Sequence, residues 1–158
     1  MGLLWQTDSI KPAHEHFISN LIYQKIALNI SALPNVETSN EPVNVLFLPF
    51  GEIHDLGLFF LNYYLKLKGK KTVYLGKSIP FDNLFYVNSQ IKNITWITYF
   101  MIDTTTEEKT MFLNNVEKLV SDNNNTSIIV GNIWDDFSKK NKNKKIFFKT
   151  SLQDLIAN

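Results

Sequence analysis

The sequence predicts an α/β fold, a five-stranded parallel sheet covered by helices on both faces, and three observations carry that prediction. Strand-like and helix-like stretches alternate regularly from Val43 to the C-terminus. The first strand-like stretch is a continuous apolar run, as suits a parallel strand buried on both faces. Before Val43 the alternation is absent and a single long helical pattern stands alone.

At 158 residues the chain suits one domain with a small appendage. Hydrophobic residues make up 44% and aromatic residues 13%, enough to fill a core. A net charge of +1 gives no global field directed at nucleic acid or a membrane. With no cysteine, disulfides, thiolate metal sites and thiol catalysis are excluded for this chain. A cytoplasmic location is the expectation, since no apolar run reaches membrane-spanning length and no secretory signal is visible. Met1-Gly2 leads straight into an apolar segment, which suggests a piece of a longer protein.

Taken in order, Gly2–Trp5 reads as the tail of a helix, and Gln6–Lys11 as a turn. Pro12 suits the first turn of a new helix, because its missing N–H would be unpaired there anyway. The helical pattern runs from Ala13 to about Leu33, with Phe17, Leu21 and Leu28 on one face and Ile18, Ile22 and Ile26 beside it. That apolar surface is expected to pack on something. Pro34 ends the helix, and residues 35–42 read as a linker.

The alternating part follows. Val43–Leu48 is the first strand and Leu56–Lys68 the first helix, terminated by Gly69. Thr72–Leu75 is the second strand, with Gly76–Pro80 as its exit loop, and Asp82–Ile91 the second helix. Thr95–Ile102 is the third strand, rich in β-branched and aromatic residues. Thr104 or Thr105 caps a helix from Glu107 to about Ser121. Thr126–Val130, the loop Gly131–Trp134, a short helix Asp135–Lys139, a strand Lys144–Lys149 and a last helix capped by Ser151 complete the chain. Five strands in this rhythm suit a flavodoxin-like doubly wound sheet. With the strand order 2-1-3-4-5 its switch point falls between strands one and three, and His54 stands at that point.

Chemistry is therefore sought around Pro49-Phe50-Gly51-Glu52-Ile53-His54-Asp55-Leu56-Gly57. Ligands of open α/β sheets bind outside the carboxyl ends of the strands, and histidine is the commonest metal-ligating side chain. From these residues alone two roles stand open for His54, a helix cap or a ligand. The only other histidines are His14 and His16. A serine nucleophile elbow and both usual Gly-rich phosphate loops are missing, which argues against a hydrolase, a P-loop NTPase and a dinucleotide enzyme. The lysines from Lys139 to Lys145 read as a solvated loop, without the interleaved aromatics that stack on bases. Most of the aromatic residues after the first strand read as packing. Phe50 is set apart because it stands in the ligand loop.

Glu52-Ile53-His54-Asp55-Leu56-Gly57 resembles the Asp-x-His-x-x-Gly loop of cobalamin-binding domains of the methionine synthase and mutase type, with Glu52 where that family has Asp. The resemblance implies that His54 is the lower axial ligand of cobalt. It implies Glu52 as the carboxylate on the other ring nitrogen, where it would fix the tautomer, and Gly57 as room for the bulky ligand. Asp55 reads instead as an acid at a helix start. Thr98-Tyr99-Phe100 falls where the family has Ser-x-Leu or Ser-x-Thr, and Gly131-Asn132 where it has Gly-Gly, against which the nucleotide tail of the cofactor packs. Asn132 is a departure there.

Trp5, followed after nine residues by Glu15-His16, looks like the Trp-x9-Glu-His signature of cobalamin-dependent photoreceptor repressors of the MerR family. This resemblance implies a cap over the upper face of adenosylcobalamin made by Trp5, Glu15 and His16. The bland alternative is a tryptophan in a helix pair and a Glu-His pair at a helix start. Two helices of that family's bundle and its DNA-binding domain have no counterpart in this sequence, and Gln6 stands where light-responsive members carry His.

The expectation is thus a non-enzymatic cobalamin-binding sensory domain of a MerR-like regulator. Residues 1–34 would be the remnant of a helical cap, 35–42 a linker, and 43–158 the cobalamin-binding Rossmann-like domain. DNA would be met only through a domain outside this chain, the full-length protein could form a homo-oligomer, and no membrane is involved. The alternatives are a corrinoid carrier domain of a methyltransferase and a degenerate domain that no longer binds cobalamin.

Overall fold

A computed structural model describes residues 11–34, 41–121 and 123–156. The sheet has five strands, β1 (Val43–Pro49), β2 (Thr72–Ile79), β3 (Ile94–Tyr99), β4 (Thr126–Val130) and β5 (Ile146–Lys149). They lie in the order β2-β1-β3-β4-β5 and every pairing is parallel. This is the doubly wound sheet expected from the alternation. Ahead of it comes helix α1 (Pro12–Ser31), and between and after the strands come α2 (Leu56–Leu67), α3 (Phe81–Gln90), α4 (Thr106–Ser121), α5 (Asp135–Lys140) and α6 (Gln153–Ile156).

Local chemistry explains the helix ends. At the end of α2 the Lys70 N–H reaches the Leu65 carbonyl at 2.9 Å and the Gly69 N–H that of Lys66 at 2.9 Å. That pair of bonds needs a left-handed residue, and Gly69 supplies it at φ +71°. Ahead of α4, Thr105 Oγ1 accepts from the Glu108 N–H at 3.2 Å while the Glu108 carboxylate accepts from the Thr105 N–H at 2.9 Å, a reciprocal capping box. Ser151 and Asp154 repeat the arrangement at α6.

Alternation along the strands sorts side chains onto two faces. On one, Val45, Phe47, Trp96 and Ile129 pack against α3, α4 and the Trp134 segment. On the other, Leu46, Leu48 and Ile97 pack against Leu58 and Leu61 of α2, with Leu152, Leu155 and Ile156 at their side.

Three expectations about element boundaries and faces change. The second strand does not stop at Leu75. It continues through Gly76 and Ser78, both at positive φ (88° and 57°), where the pairing with β1 shifts register. Such a bulge admits the two residues that a regular strand would exclude. The third strand ends at Tyr99 rather than Ile102, because the backbone N–H groups of Met101 and Ile102 turn toward the Glu52 carboxylate. Helix α1 lies outside the sandwich, as expected, but Phe17, Leu21 and Leu28 do not make its packing face. They are 64%, 47% and 70% exposed, whereas Ile26 is buried and Tyr23 packs on Phe59 of α2 with ring centroids 5.5 Å apart. Among the described residues no helix is long and apolar enough to cross a membrane.

Candidate functional site

The site is built where β1 leaves the sheet. Pro49, Phe50 and Gly51 turn the chain over the carboxyl edge, with Gly51 at φ +90°. The turn brings Glu52 back inward, and its residue is only 5% exposed. A buried carboxylate needs several donors, and Glu52 has five. Oε1 accepts from the backbone N–H of Ile53 (2.9 Å) and His54 (3.0 Å), and from His54 Nδ1 at 2.7 Å. Oε2 accepts from the backbone N–H of Met101 (3.1 Å) and Ile102 (3.3 Å). Burial acts to raise the pKa of Glu52. The bonds from His54, Met101 and Ile102 outweigh it and hold the group below the ordinary carboxylate range.

An ionised carboxylate accepts only, so His54 Nδ1 is the donor and Nε2 keeps its lone pair when the ring is neutral. The His54 side chain is about half exposed at 50%. Around it the edge is unusually apolar for a surface. Phe50, Ile53, Met101 and Ile102 are 78%, 58%, 55% and 55% exposed. Exposed apolar groups gathered about one polar donor mark a ligand surface more often than a bare one. Sequence reasoning singled out Phe50 alone among these four. The Phe100-Met101-Ile102 run at a strand exit was the available signal for two of the others, and it was absorbed into the strand.

Asp55 stands at the start of α2, as expected, but its carboxylate is engaged elsewhere. It makes no side-chain cap to α2; its carboxylate accepts from the Tyr74 hydroxyl of β2 at 2.8 Å and from the Tyr23 hydroxyl of α1. Burial first, and the Asp55 carboxylate second, push both tyrosine pKa values well above their ordinary value. Asp55 therefore ties the appended helix to the loop that carries His54.

Other expected site residues lie elsewhere. Gly57 sits in the first turn of α2, but the space beside it is filled, since a Cβ there would stand 2.8 Å from Leu152 Cδ1 and 3.8 Å from Tyr99. Thr98 is fully buried and its hydroxyl has no partner among the described residues. Strand alternation puts it on the face of Trp96, across the sheet from Leu152. Gly131 is buried at φ +141°, and a Cβ there would meet the Phe100 carbonyl at 3.1 Å, while Asn132 is exposed. Trp5 lies outside the described residues. Glu15 and His16 lie in the first turns of α1, and among the described residues no hydrogen bond or ion pair joins either to the loop of His54. So the structure brings together Glu52, His54 and the β3 exit, and it leaves Gly57 packed against its neighbours. Among the described residues no group of three or more His, Asp or Glu could hold a metal ion.

No family model matches this chain, and no curated protein does. Solved structures do. The monomethylamine corrinoid protein of Methanosarcina barkeri superposes with a TM-score of 0.64 at 12% identity, over 99% of this chain and 74% of that one. The methanol:cobalamin methyltransferase complex of Methanosarcina barkeri gives a TM-score of 0.56 at 17% identity, over 93% of this chain. This chain spans 56% of the length of the chain it matches there. The likeness is one of fold.

Proposed function

We propose that this chain is a corrinoid-binding module of the carrier kind, with His54 Nε2 as an axial ligand of cobalt. The observation that carries the reading is the Glu52–His54 pair, in which a buried carboxylate fixes an exposed imidazole with its second nitrogen free. The exposed apolar rim of Phe50, Ile53, Met101 and Ile102 supports it, because a corrin is a broad, largely hydrocarbon macrocycle whose edge carries methyl groups beside its amide side chains. In this reading residues 1–34 are what is present of a helical cap, 35–42 a linker, and 43–158 the ligand domain. The chain itself catalyses nothing. It would bind the cofactor and orient the ring of His54. When bound, cobalt would supply the position at which a one-carbon group is carried.

The metal-ligating half of the site fits a corrinoid, and the neighbourhood of Gly57 does not stand open for a nucleotide tail, since Leu152 fills it. The carrier reading is preferred to the MerR-like regulator on the likeness of fold. Two solved structures that share the fold are a corrinoid protein and a methyltransferase complex, and neither is a transcriptional regulator.

The test is visible absorbance of the protein mixed with hydroxocobalamin and, separately, with aquocobinamide, which lacks the tail. Imidazole ligation should shift the cobinamide spectrum, and the shift should weaken in acid, since a ligating nitrogen cannot hold a proton. His54→Ala should abolish it. Unchanged spectra for the wild-type protein with both corrinoids, or an equal shift with His54→Ala, would defeat the proposal.

A further inference from the structure

On the sheet face opposite Leu152, a cavity of about 470 Å³ opens beside Glu52 between the β1 exit, the start of α3 and helix α4. Its floor is a set of interlocked aromatic rings. Phe112 meets Phe100 edge-on at 4.9 Å between centroids, and Trp134 meets Phe100 edge-on at 5.0 Å. Phe81 closes one side at 5.3 Å from Phe112. Such a mutual arrangement fixes each ring, so the cavity is preformed rather than a gap that side-chain motion would close. Phe50 and Met111, 78% and 63% exposed, stand at its mouth.

Its charge is one-sided. Glu52, Asp103 and Glu108 line it, and among the described residues no lysine, arginine or histidine does. Lys109 pairs with Asp103 at 2.7 Å from outside the lining. Asp103 and Glu108 are both held below the ordinary carboxylate range, Asp103 chiefly by its bond from Lys109 and Glu108 chiefly by its bond from Thr104. Three carboxylates against one ammonium leave the mouth negative at neutral pH. A phosphate or carboxylate would be repelled by these carboxylates. A cation without an apolar body would remain in water rather than fill an aromatic cavity. The volume lies in the range of small-molecule sites, about 300–1,000 Å³, and the position at the carboxyl edge of a doubly wound sheet is where such sites form.

We propose that this cavity binds an organic cation with an aromatic or branched alkyl body, its ammonium near Asp103 and Glu108 and its body on Phe100, Phe112 and Trp134. The cavity adjoins the His54 site and shares Phe50, Glu52 and Ile102 with it. The proposed contacts are to Asp103, Glu108, Phe100, Phe112 and Trp134 and need no corrinoid, so the experiment tests it separately from the function proposed above.

The experiment is a titration of the whole chain with benzyltrimethylammonium, benzyl alcohol and phenylphosphonate, followed by amide and indole NMR. The cation should bind at least about tenfold more tightly than the alcohol, and the phosphonate should not bind. Its shifts should centre on the Asn115 side-chain amide and the Trp134 indole, both from residues of the lining. Asp103→Asn with Glu108→Gln, at exposed positions where folding should survive, should remove most of the preference for the cation. So should added salt. Equal binding of cation and phosphonate, no binding of the cation, shifts centred elsewhere, or an unchanged preference in the double variant would each overturn the proposal.

Discussion

Glu52→Gln is the most informative single change in this protein. The carboxylate is 5% exposed and accepts five N–H groups, four of them backbone and drawn from both the His54 loop and the β3 exit. Glutamine keeps the shape and one acceptor oxygen but turns its NH₂ toward the donors of the other. Either Met101 and Ile102, or Ile53 and both donors of His54, then face a donor. Hydrogen bonds to a charged group contribute about 1.5–3 kcal/mol each, and a buried donor left unpaired costs about 1–3 kcal/mol. The bonds share one carboxylate and cannot simply be added, so the expected loss is about 2–4 kcal/mol. Urea unfolding at pH 7, read by the fluorescence of buried Trp96 and Trp134, measures it. Acid supplies a second arm. The Glu52 pKa is lowered in the folded state from an ordinary value of 4.5, so its stabilisation is complete above that value. It is lost as the pH falls through the lower folded pKa. The gap between wild type and variant should therefore be constant from pH 7 to about 5 and narrow below about 4.5. A difference under about 0.5 kcal/mol at pH 7, within the range of ordinary surface changes, or a gap that stays constant in acid, would refute the account of the loop.

Two further outcomes follow from the contacts around His54. Asp55→Ala removes the shared acceptor of Tyr23 and Tyr74. Amide exchange should then quicken in α1 more than in β1, and the Tyr74 pKa should fall partway toward its ordinary value while burial keeps it raised. Uniformly faster exchange would show that Asp55 does not fasten α1. Gly57→Ala should gain up to about 1 kcal/mol of helix propensity yet lose about 1–3 kcal/mol to overpacking against Leu152 Cδ1. In the Leu152→Ala background only the gain should remain. An identical effect in both backgrounds, measured by denaturation, would mean that Leu152 does not fill the space beside Gly57.

The order of strands and helices was legible because it is written in local patterns, an apolar run for β1 and capping residues such as Thr105 and Ser151 read directly from neighbours. What escaped is non-local. The end of β3 depends on a carboxylate 49 and 50 residues away, which draws the N–H groups of Met101 and Ile102 out of the strand direction. The extension of β2 past Gly76 depends on register against β1. The apolar pattern of α1 includes Ile26, which is buried, but not Tyr23, whose hydroxyl bonds an aspartate 32 positions later and which packs on α2. The site divides the same way. Glu52 and His54 lie two residues apart, and their pairing followed from the motif. Whether the side of Gly57 is open depends on Leu152, at the far end of the chain, and nothing near Gly57 announces it.

The two acids that flank His54 pull its loop in different directions, and this bears on why the imidazole is held as it is. Glu52 binds the loop to the exit of β3, while Asp55 binds it to β2 and α1. The backbone at His54 is thereby fixed from both strands that neighbour β1. For Glu52, the four backbone donors already satisfy the need of a buried carboxylate for partners. The fifth bond goes to a ring that is half exposed and adds little to the core. Its effect is on the imidazole, since it selects the tautomer and leaves Nε2 as the free nitrogen. It also restricts the ring torsions that a ligand would otherwise have to freeze. A surface histidine with no ligand gains little from that restriction, whereas an axial ligand gains affinity from every torsion fixed in advance. That restriction is what supports the ligand role proposed for His54.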